Sequence, residues 1–321
     1  MALSDLVNTF GTDLKRRYGE RVHKVAINAG LSCPNRDGSK GRGGCTFCNN
    51  ASFNPSARQP PSVAEQLEAG RRVILRRTGA RRYLAYFQAY TNTYGDLDLL
   101  AGLYRQALAE PDVLGLSVGT RPDCCAPAVL DLLAALRDEG HEVWLELGLQ
   151  SAFDATLARV NRGHGFADYR LALGRARARR LPVCTHLIVG LPGEGRRKAV
   201  ASLGRVLDLG IDGLKIHPLH VVKGTQLANE WRRGAYAPLS MTGYIATVAD
   251  LIERTPPGVV FHRLTGTASA DILLAPAWCS RKWVVLNGIE AELRRRGSAQ
   301  GRLASVARQG VPDPDVQAAV A

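Results

Sequence analysis

The chain of 321 residues has no hydrophobic run near the ~18 apolar residues that a membrane span requires. Its start, MALSDLVNTFGTDLKRRYGE, lacks a basic segment followed by an apolar core, because Asp5 and Asn8 fall where a secretion signal would be hydrophobic. A cytoplasmic protein without a membrane partner is therefore expected. Acidic residues are in deficit, 29 against 42 lysines and arginines, leaving a net charge of +13. That balance favours an anionic partner such as nucleic acid or a phosphorylated substrate, although heavy arginine use beside abundant alanine and leucine gives the same excess without selection for binding. Aromatic residues make up only 6%, and none lies within the arginine clusters at 71–82 and 175–180, which therefore lack the interleaved stacking platforms of single-strand binders. Those clusters read either as solvated helix faces or as a phosphate-binding surface. With 45% hydrophobic and 22% charged residues, disordered, collagen-like and fibrous classes are excluded. Seven cysteines, an odd number at uneven spacing, read as thiols or metal ligands rather than a disulfide framework.

What is present is a period. Apolar, partly β-branched runs at 22–28, 83–87, 113–118, 142–149, 183–190 and 213–221 predict buried strands. Helical patterns fall between them at 63–77, 97–109, 127–139, 154–180 with a break near Gly163 and Gly165, and 197–209. From position 83 onward the strand starts lie 30, 29, 41 and 30 residues apart, the length of one βα unit. The fold class expected is α/β, a partial (β/α)6 TIM-like barrel with a C-terminal extension. The extension holds a helix from about Ser240, a strand at 259–264, and a helix from Ser280 stopped by Gly297, with Trp283, Leu286, Ile289 and Leu293 on one face. The division expected is an N-terminal segment 1–21, the barrel 22–230, the extension 231–300 packed on it, and a loosely held tail 301–321.

The interval from the first strand to the second is twice as long because a glycine- and cysteine-rich loop intervenes, CPNRDGSKGRGGCTFC, carrying Cys33, Cys45 and Cys48. Loops at the C-terminal ends of barrel strands are where active sites form. Thiolates are soft ligands for an iron–sulfur cluster, zinc or copper(I). A closed zinc site needs a fourth ligand, for which His23, Cys124 or Cys125 are the candidates. Three cysteines on a [4Fe–4S] cluster leave one iron open to bind something else. Cysteine spacing by itself leaves cluster and zinc both open.

Three cysteines after the first strand of a βα barrel, with Phe47 just before the last of them, resemble the radical S-adenosylmethionine (SAM) superfamily. The usual spacing there is C-x3-C-x2-C, and the long first gap departs from it. The departure is itself informative, because INAGLSCPNRDG, GRGGCTFCN, YFQAYTNTY, VGTRPDCC, WLELGLQS, VNRGH, HLIVGLPGE and HVVKGTQL occur in this order. They resemble the YhcC-like family, related to the radical domain of the Elongator catalytic subunit, over residues 10–296, and HRLTG and the Trp283 helix match it too. The resemblance implies a cluster on Cys33, Cys45 and Cys48, and reductive cleavage of SAM to a 5′-deoxyadenosyl radical. It implies SAM contacts from Phe47, from Gln88, Tyr90 and Asn92 toward the methionine amino group, from Gln150 toward the ribose, from Arg162 toward the carboxylate, and from the backbone at Ile188 toward adenine. Related enzymes often carry a glutamate where this chain has Gly119.

His217, His220 and Lys223 are the substrate-side candidates, and His186 reads as a satisfied interior histidine or one aimed into the barrel. Cys124, Cys125, Cys184 and Cys279 have no assigned role, buried inert thiols being the reading for the first two. The implied partners are RNA, with tRNA and its wobble uridine foremost, and a reductant such as flavodoxin or ferredoxin. Two alternatives stay open: a radical enzyme acting on a small molecule or peptide, and a zinc-stabilised RNA-binding protein without catalysis.

Overall fold

Strands and helices alternate along the chain in a computed structural model that describes residues 2–49 and 61–304. In order they are α1 (Phe10–Tyr18), β1 (Val22–Ile27), α2 (Val63–Thr78), β2 (Arg82–Phe87), α3 (Leu97–Leu108), β3 (Val113–Thr120), α4 (Pro127–Asp138) and β4 (Glu142–Gln150). There follow α5 (Asp154–Arg159), α6 (Phe166–Ala178), β5 (Val183–Val189), α7 (Arg196–Asp208), β6 (Gly213–Pro218), β7 (Val221–Val222) and α8 (Gln226–Arg232). The chain then forms α9 (Met241–Arg254), β8 (Val260–Arg263), β9 (Leu273–Ala275) and α10 (Lys282–Arg295). The expected strands and helices all appear, the break at Gly163 and Gly165 separating α5 from α6.

Seven strands form one sheet in the order β1-β2-β3-β4-β5-β6-β8, every neighbouring pair parallel. The expected six-stranded barrel thus gains a seventh strand, β8, from the residues assigned to the extension. The sheet is curled. Laid flat, β1 and β8 would be ~29 Å apart at the usual strand spacing, yet Lys24 Nζ of β1 lies 3.0 Å from His262 Nδ1 of β8. Apolar helix faces cover the convex side in one continuous core that includes Leu67, Leu100, Leu133, Leu173, Leu203 and Val248.

The N-terminal segment does more than lead into β1. Thr9 caps α1, whose Phe10 and Leu14 pack with Val22, Leu84, Trp144 and Val260 to close the N-terminal end of the half-barrel. An i, i+4 apolar pair between a threonine cap and Gly19 is the signal for this helix. The strand expected at 213–221 is divided: β6 ends at Pro218, which has no N–H to donate, and β7 pairs antiparallel with β9. Residues 305–321 of the expected loose tail lie outside the described residues. Gly301 and Leu303 donate to the Ile252 and Glu253 carbonyls at the end of α9.

Helix α10 corrects the expected stripe. Val285, Ile289 and Leu293 are fully buried and Leu286 packs against the core, but Trp283 is 71% exposed. The helix meets α9 closely enough that a Cβ on Gly288 would lie 2.5 Å from Ile245. This approach sets the rotation of α10 and turns its first turn outward. Arg296 fastens the pair, donating to Asp250, Glu253 and Glu292 at 2.7–2.8 Å. Ile289→Ala is expected to cost about 2–5 kcal/mol in urea unfolding. Trp283→Ala should stay within about 0.5 kcal/mol of wild type, and a large loss there would return Trp283 to the core.

Candidate active site

At the C-terminal ends of the strands lies a cavity of about 240 Å³, lined by Cys33, Cys45 and Cys48 on one side and by Tyr86, His186, Lys215, His217 and His220 on the other. The eleven residues between Cys33 and Cys45 fold back on themselves. Lys40 and Gly41 donate to the Pro34 carbonyl, and Gly44 donates to that of Asn35. Gly43 and Gly44 both take positive φ, near 80°, which favours glycine. The long spacing thus closes into a turn that returns Cys45 toward Cys33.

Distant segments pin this loop. Asn35 Nδ2 donates to the Asn161 carbonyl at 2.6 Å, and Asn161 Nδ2 returns a bond to the Gly44 carbonyl at 2.8 Å. Thr46 N donates to the Val160 carbonyl, and Leu227 N to that of Thr46. Arg162 is buried. Its Nη1 lies 3.5 Å from Cys45 Sγ, its Nη2 donates to the Gly148 carbonyl at 2.5 Å, and its Nε has no partner among the described residues. At Gly148 a Cβ would sit 2.9 Å from the ends of both Arg162 and Gln150, so a side chain there would push them aside. Burial and then the adjacent Cys45, with a smaller effect of Cys33, push the Cys48 thiol up to about 11. Loading a metal on it therefore means displacing a proton.

The geometry of possible donor sets bears on the two metals left open by spacing. Sulfurs around one tetrahedral zinc lie ~3.8 Å apart for 2.3 Å bonds. Among the described residues, the only three potential ligands within 4.8 Å of one another are Glu146, Cys184 and His186. The three loop thiols share the cavity wall and are not part of that compact trio. Cys124 lies outside the lining with Sγ 3.9 Å from Asp123 Oδ1, while Cys125 is buried against the Arg121 carbonyl.

Phe47, Gln88, Tyr90, Gln150, Arg162, Ile188, His217 and His220 all reach the cavity wall. Tyr90 and Gln150 hold positive φ, 62° and 81°, which orients them at the ends of β2 and β4. Two expected residues do not reach it. Asn92 is buried behind the wall, its Nδ2 donating to the Phe87 and Gly119 carbonyls at 3.0 and 2.8 Å, so it clasps β2 to β3. Lys223 is exposed, and its carbonyl accepts from Asn49 Nδ2 at 2.8 Å. At Gly119 a Cβ would lie 3.1 Å from the Phe87 carbonyl oxygen.

The sequence reading missed the floor of the cavity. Glu146 has no exposed surface. It pairs with Lys24, accepts from Ser117 at 2.5 Å and from Lys215 at 2.9 Å, and lies 2.6 Å from His186. Lys215 also donates to Tyr86 Oη at 2.5 Å. Burial would raise the Glu146 pKa, but Lys215 and Lys24 hold it well below the usual carboxylate range. Burial, opposed by Glu146, lowers Lys215 to about 8. Two ammonium groups on one carboxylate leave the Glu146–Cys184–His186 trio poorly suited to a metal ion. Charged residues inside apolar strands, in WLELGL and GLKIHP, were the available signal. Among the described residues the cavity wall itself carries Arg36, Arg121, Arg162 and Lys215 and no aspartate or glutamate.

A family model described as the radical SAM superfamily matches residues 33–205, and one described as the radical SAM C-terminal domain matches 211–295. The chain belongs to the radical SAM superfamily, whose cofactors are a [4Fe–4S] cluster and SAM, and it is a radical SAM enzyme. Within that superfamily it is 50% identical over 305 residues to Protein YhcC of Escherichia coli strain K12, covering 94% of this chain and 98% of that protein. It is also 35% identical to a tRNA uridine(34) acetyltransferase of Dehalococcoides mccartyi over 49% of this chain and 34% of that protein. In fold it is similar to the Elp3 of the archaeon Methanocaldococcus infernus, with a TM-score of 0.64, 19% identity, and coverage of 92% of this chain and 69% of that one. Among the described residues no helix is long and apolar enough to cross a membrane.

Two expectations follow from the floor. Glu146→Gln leaves Lys24 and Lys215 without a counter-charge and should cost about 3–5 kcal/mol in thermal or urea unfolding; Glu146→Gln with Lys215→Met should recover part of it. Burial, then Lys215, lowers His186 to about 4, and burial, then Lys24, lowers His262 to about 3. Their unfolded values lie near 6.5. The unfolded chain therefore binds protons that the folded chain refuses between about pH 6.5 and 4, and stability falls as pH drops through that window. The loss should be on the order of 2 kcal/mol per histidine by pH 5, and urea midpoints that do not change from pH 7.5 to 5 would contradict it.

Proposed function

We propose that this enzyme modifies tRNA, at the wobble uridine, with Cys33, Cys45 and Cys48 as the cluster ligands. The observation that carries the reading is the meeting of three loop thiols with the buried Arg162 in a cavity wall free of acids. When bound, the cluster and SAM supply a 5′-deoxyadenosyl radical by one-electron reductive cleavage of the sulfonium carbon–sulfur bond. A reductant such as flavodoxin or ferredoxin provides the electron.

The chain's own residues bind and orient. Arg162 is the cation offered to the SAM carboxylate, its Nε having no partner among the described residues. Gln88 and Tyr90 take the methionine amino group, with Asn92 acting at one remove by fixing the backbone at Phe87 and Gly119. Gln150 takes the ribose, Ile188 packs on adenine, and Phe47 shields the thiols from water. His217 and His220 face the substrate, and the Tyr86–Lys215 pair forms the floor beneath it. The tRNA assignment draws on the +13 charge and on likeness to a tRNA uridine(34) acetyltransferase.

The test is anaerobic reconstitution with iron and sulfide analysis, then 5′-deoxyadenosine formation with dithionite, comparing wild type with Cys45→Ala. About four irons per chain, lost with product in the variant, are expected. Zinc without iron would overturn the cysteine assignment. For the substrate, bulk tRNA from a deletion strain should show an altered wobble nucleoside, and an unchanged profile would remove tRNA.

A further inference from the structure

Most of the arginine-rich surface is engaged within the protein. Arg71 pairs with Glu110 and Asp112, Arg179 with Asp131, and Arg175 and Arg177 donate to carbonyls at Cys125, Leu209 and Gly210. The start of α10 differs. Trp283 is 71% exposed beside Val284 at 48%, and it belongs to none of the hydrophobic clusters. Lys282 Nζ stands 5.3 Å from the centre of its ring, and Arg281 precedes it, exposed. Neither cation has an acidic partner among the described residues.

Just before α10, Trp278 Nε1 donates to the Leu239 carbonyl at 3.0 Å, and Leu239 packs against Gly190 just after β5, so this edge lies at the cavity end of the strands. Burial and then Arg263 lower the Lys282 pKa, while burial, Arg21 and Lys282 lower that of His23, so the charges acting here are all positive. Arg263 has no ion-pair partner among the described residues and acts in turn on His217 and His220 in the cavity wall. It reaches the inner side through a bulge in β8: Leu214 pairs with Phe261 and Lys215 with Arg263, so His262 is bypassed.

We propose that Trp283, with Arg281, Lys282 and Arg263, forms a nucleotide-stacking platform that receives a single-stranded segment of RNA at the approach to the active site. A base reacting inside the half-barrel must leave its stack, and its neighbours then lose stacking partners. An exposed indole flanked by unpaired cations offers a π-face to a base and positive charge to the adjoining phosphates. The inference rests on tRNA being the substrate.

The test uses cluster-reconstituted protein and a labelled tRNA transcript, with binding followed by anisotropy over a range of salt and with sedimentation of the protein alone. Trp283→Ala should weaken binding about 5- to 100-fold at fixed salt with little change in salt slope, and Trp283→Phe should retain most of the affinity. Arg281→Gln with Lys282→Gln should reduce the slope by about 2. If wild type binds tRNA and Trp283→Ala binds it equally well, the platform is refuted while the tRNA reading stands. If wild type is a dimer that Trp283→Ala dissociates, the patch is a protein interface and the inference falls. If wild type forms 5′-deoxyadenosine but binds no tRNA, the substrate reading falls and takes the platform with it.

Discussion

Glu146 is a carboxylate with no access to water at the centre of the half-barrel, and the curvature of the sheet is organised around it. Lys24 approaches from β1, Ser117 from β3, His186 from β5 and Lys215 from β6, with His262 of β8 3.5 Å away. A buried charge is tolerated only when paired and hydrogen-bonded, so these strands must curl until their inward side chains meet. Phe10 stacks on His262 at 3.9 Å and lies beneath Lys24, which makes α1 part of the same arrangement. These charged residues close one end of the cavity, opposite the wall that carries the three loop cysteines.

The cysteine loop depends on a different economy of contacts. Its backbone turns on glycines, but its position is set by Val160, Asn161 and Arg162 between α5 and α6, and by Leu227 at the start of α8. The α5–α6 junction therefore brings Arg162 against Cys45 and holds the turn that leads to Cys48. Arg121 continues this support, donating to the Arg162 carbonyl at 2.8 Å while clamped by Asp123. Burial alone would raise Asp123, but Arg121 and Lys40 hold it at about 2. This part of the cavity wall is thus cationic and tied together by hydrogen bonds.

Legibility followed the range of the interaction. Strand and helix periods are local, and Gly163, Gly165 and Gly297 marked the breaks they were expected to mark. Phe47, Gln150, Arg162 and Ile188 do line the cavity, the ordered motifs placing them in the cysteine loop, at the ends of β4 and β5, and at the α5–α6 junction. Asn92 and Lys223 sit in the same motifs and do not reach the cavity wall, because a motif specifies neighbourhood and not the direction of each side chain. Trp283 fell on the expected apolar stripe of α10, but the close approach at Gly288 rotated it away from the core.

What the sequence by itself determined is the βα period, the three-cysteine loop and the ordered motifs of the radical SAM superfamily, since each is a pattern along the chain. Only the tertiary structure decided that the sheet has a seventh strand, that Glu146 gathers lysines and histidines from both ends of it, and that an indole is left exposed among cations. The physical reason is that burial and charge pairing are properties of convergence in space. Residues 24, 117, 146, 186, 215 and 262 have no spacing that announces their meeting, and the curl that unites them exists only once the strands pair.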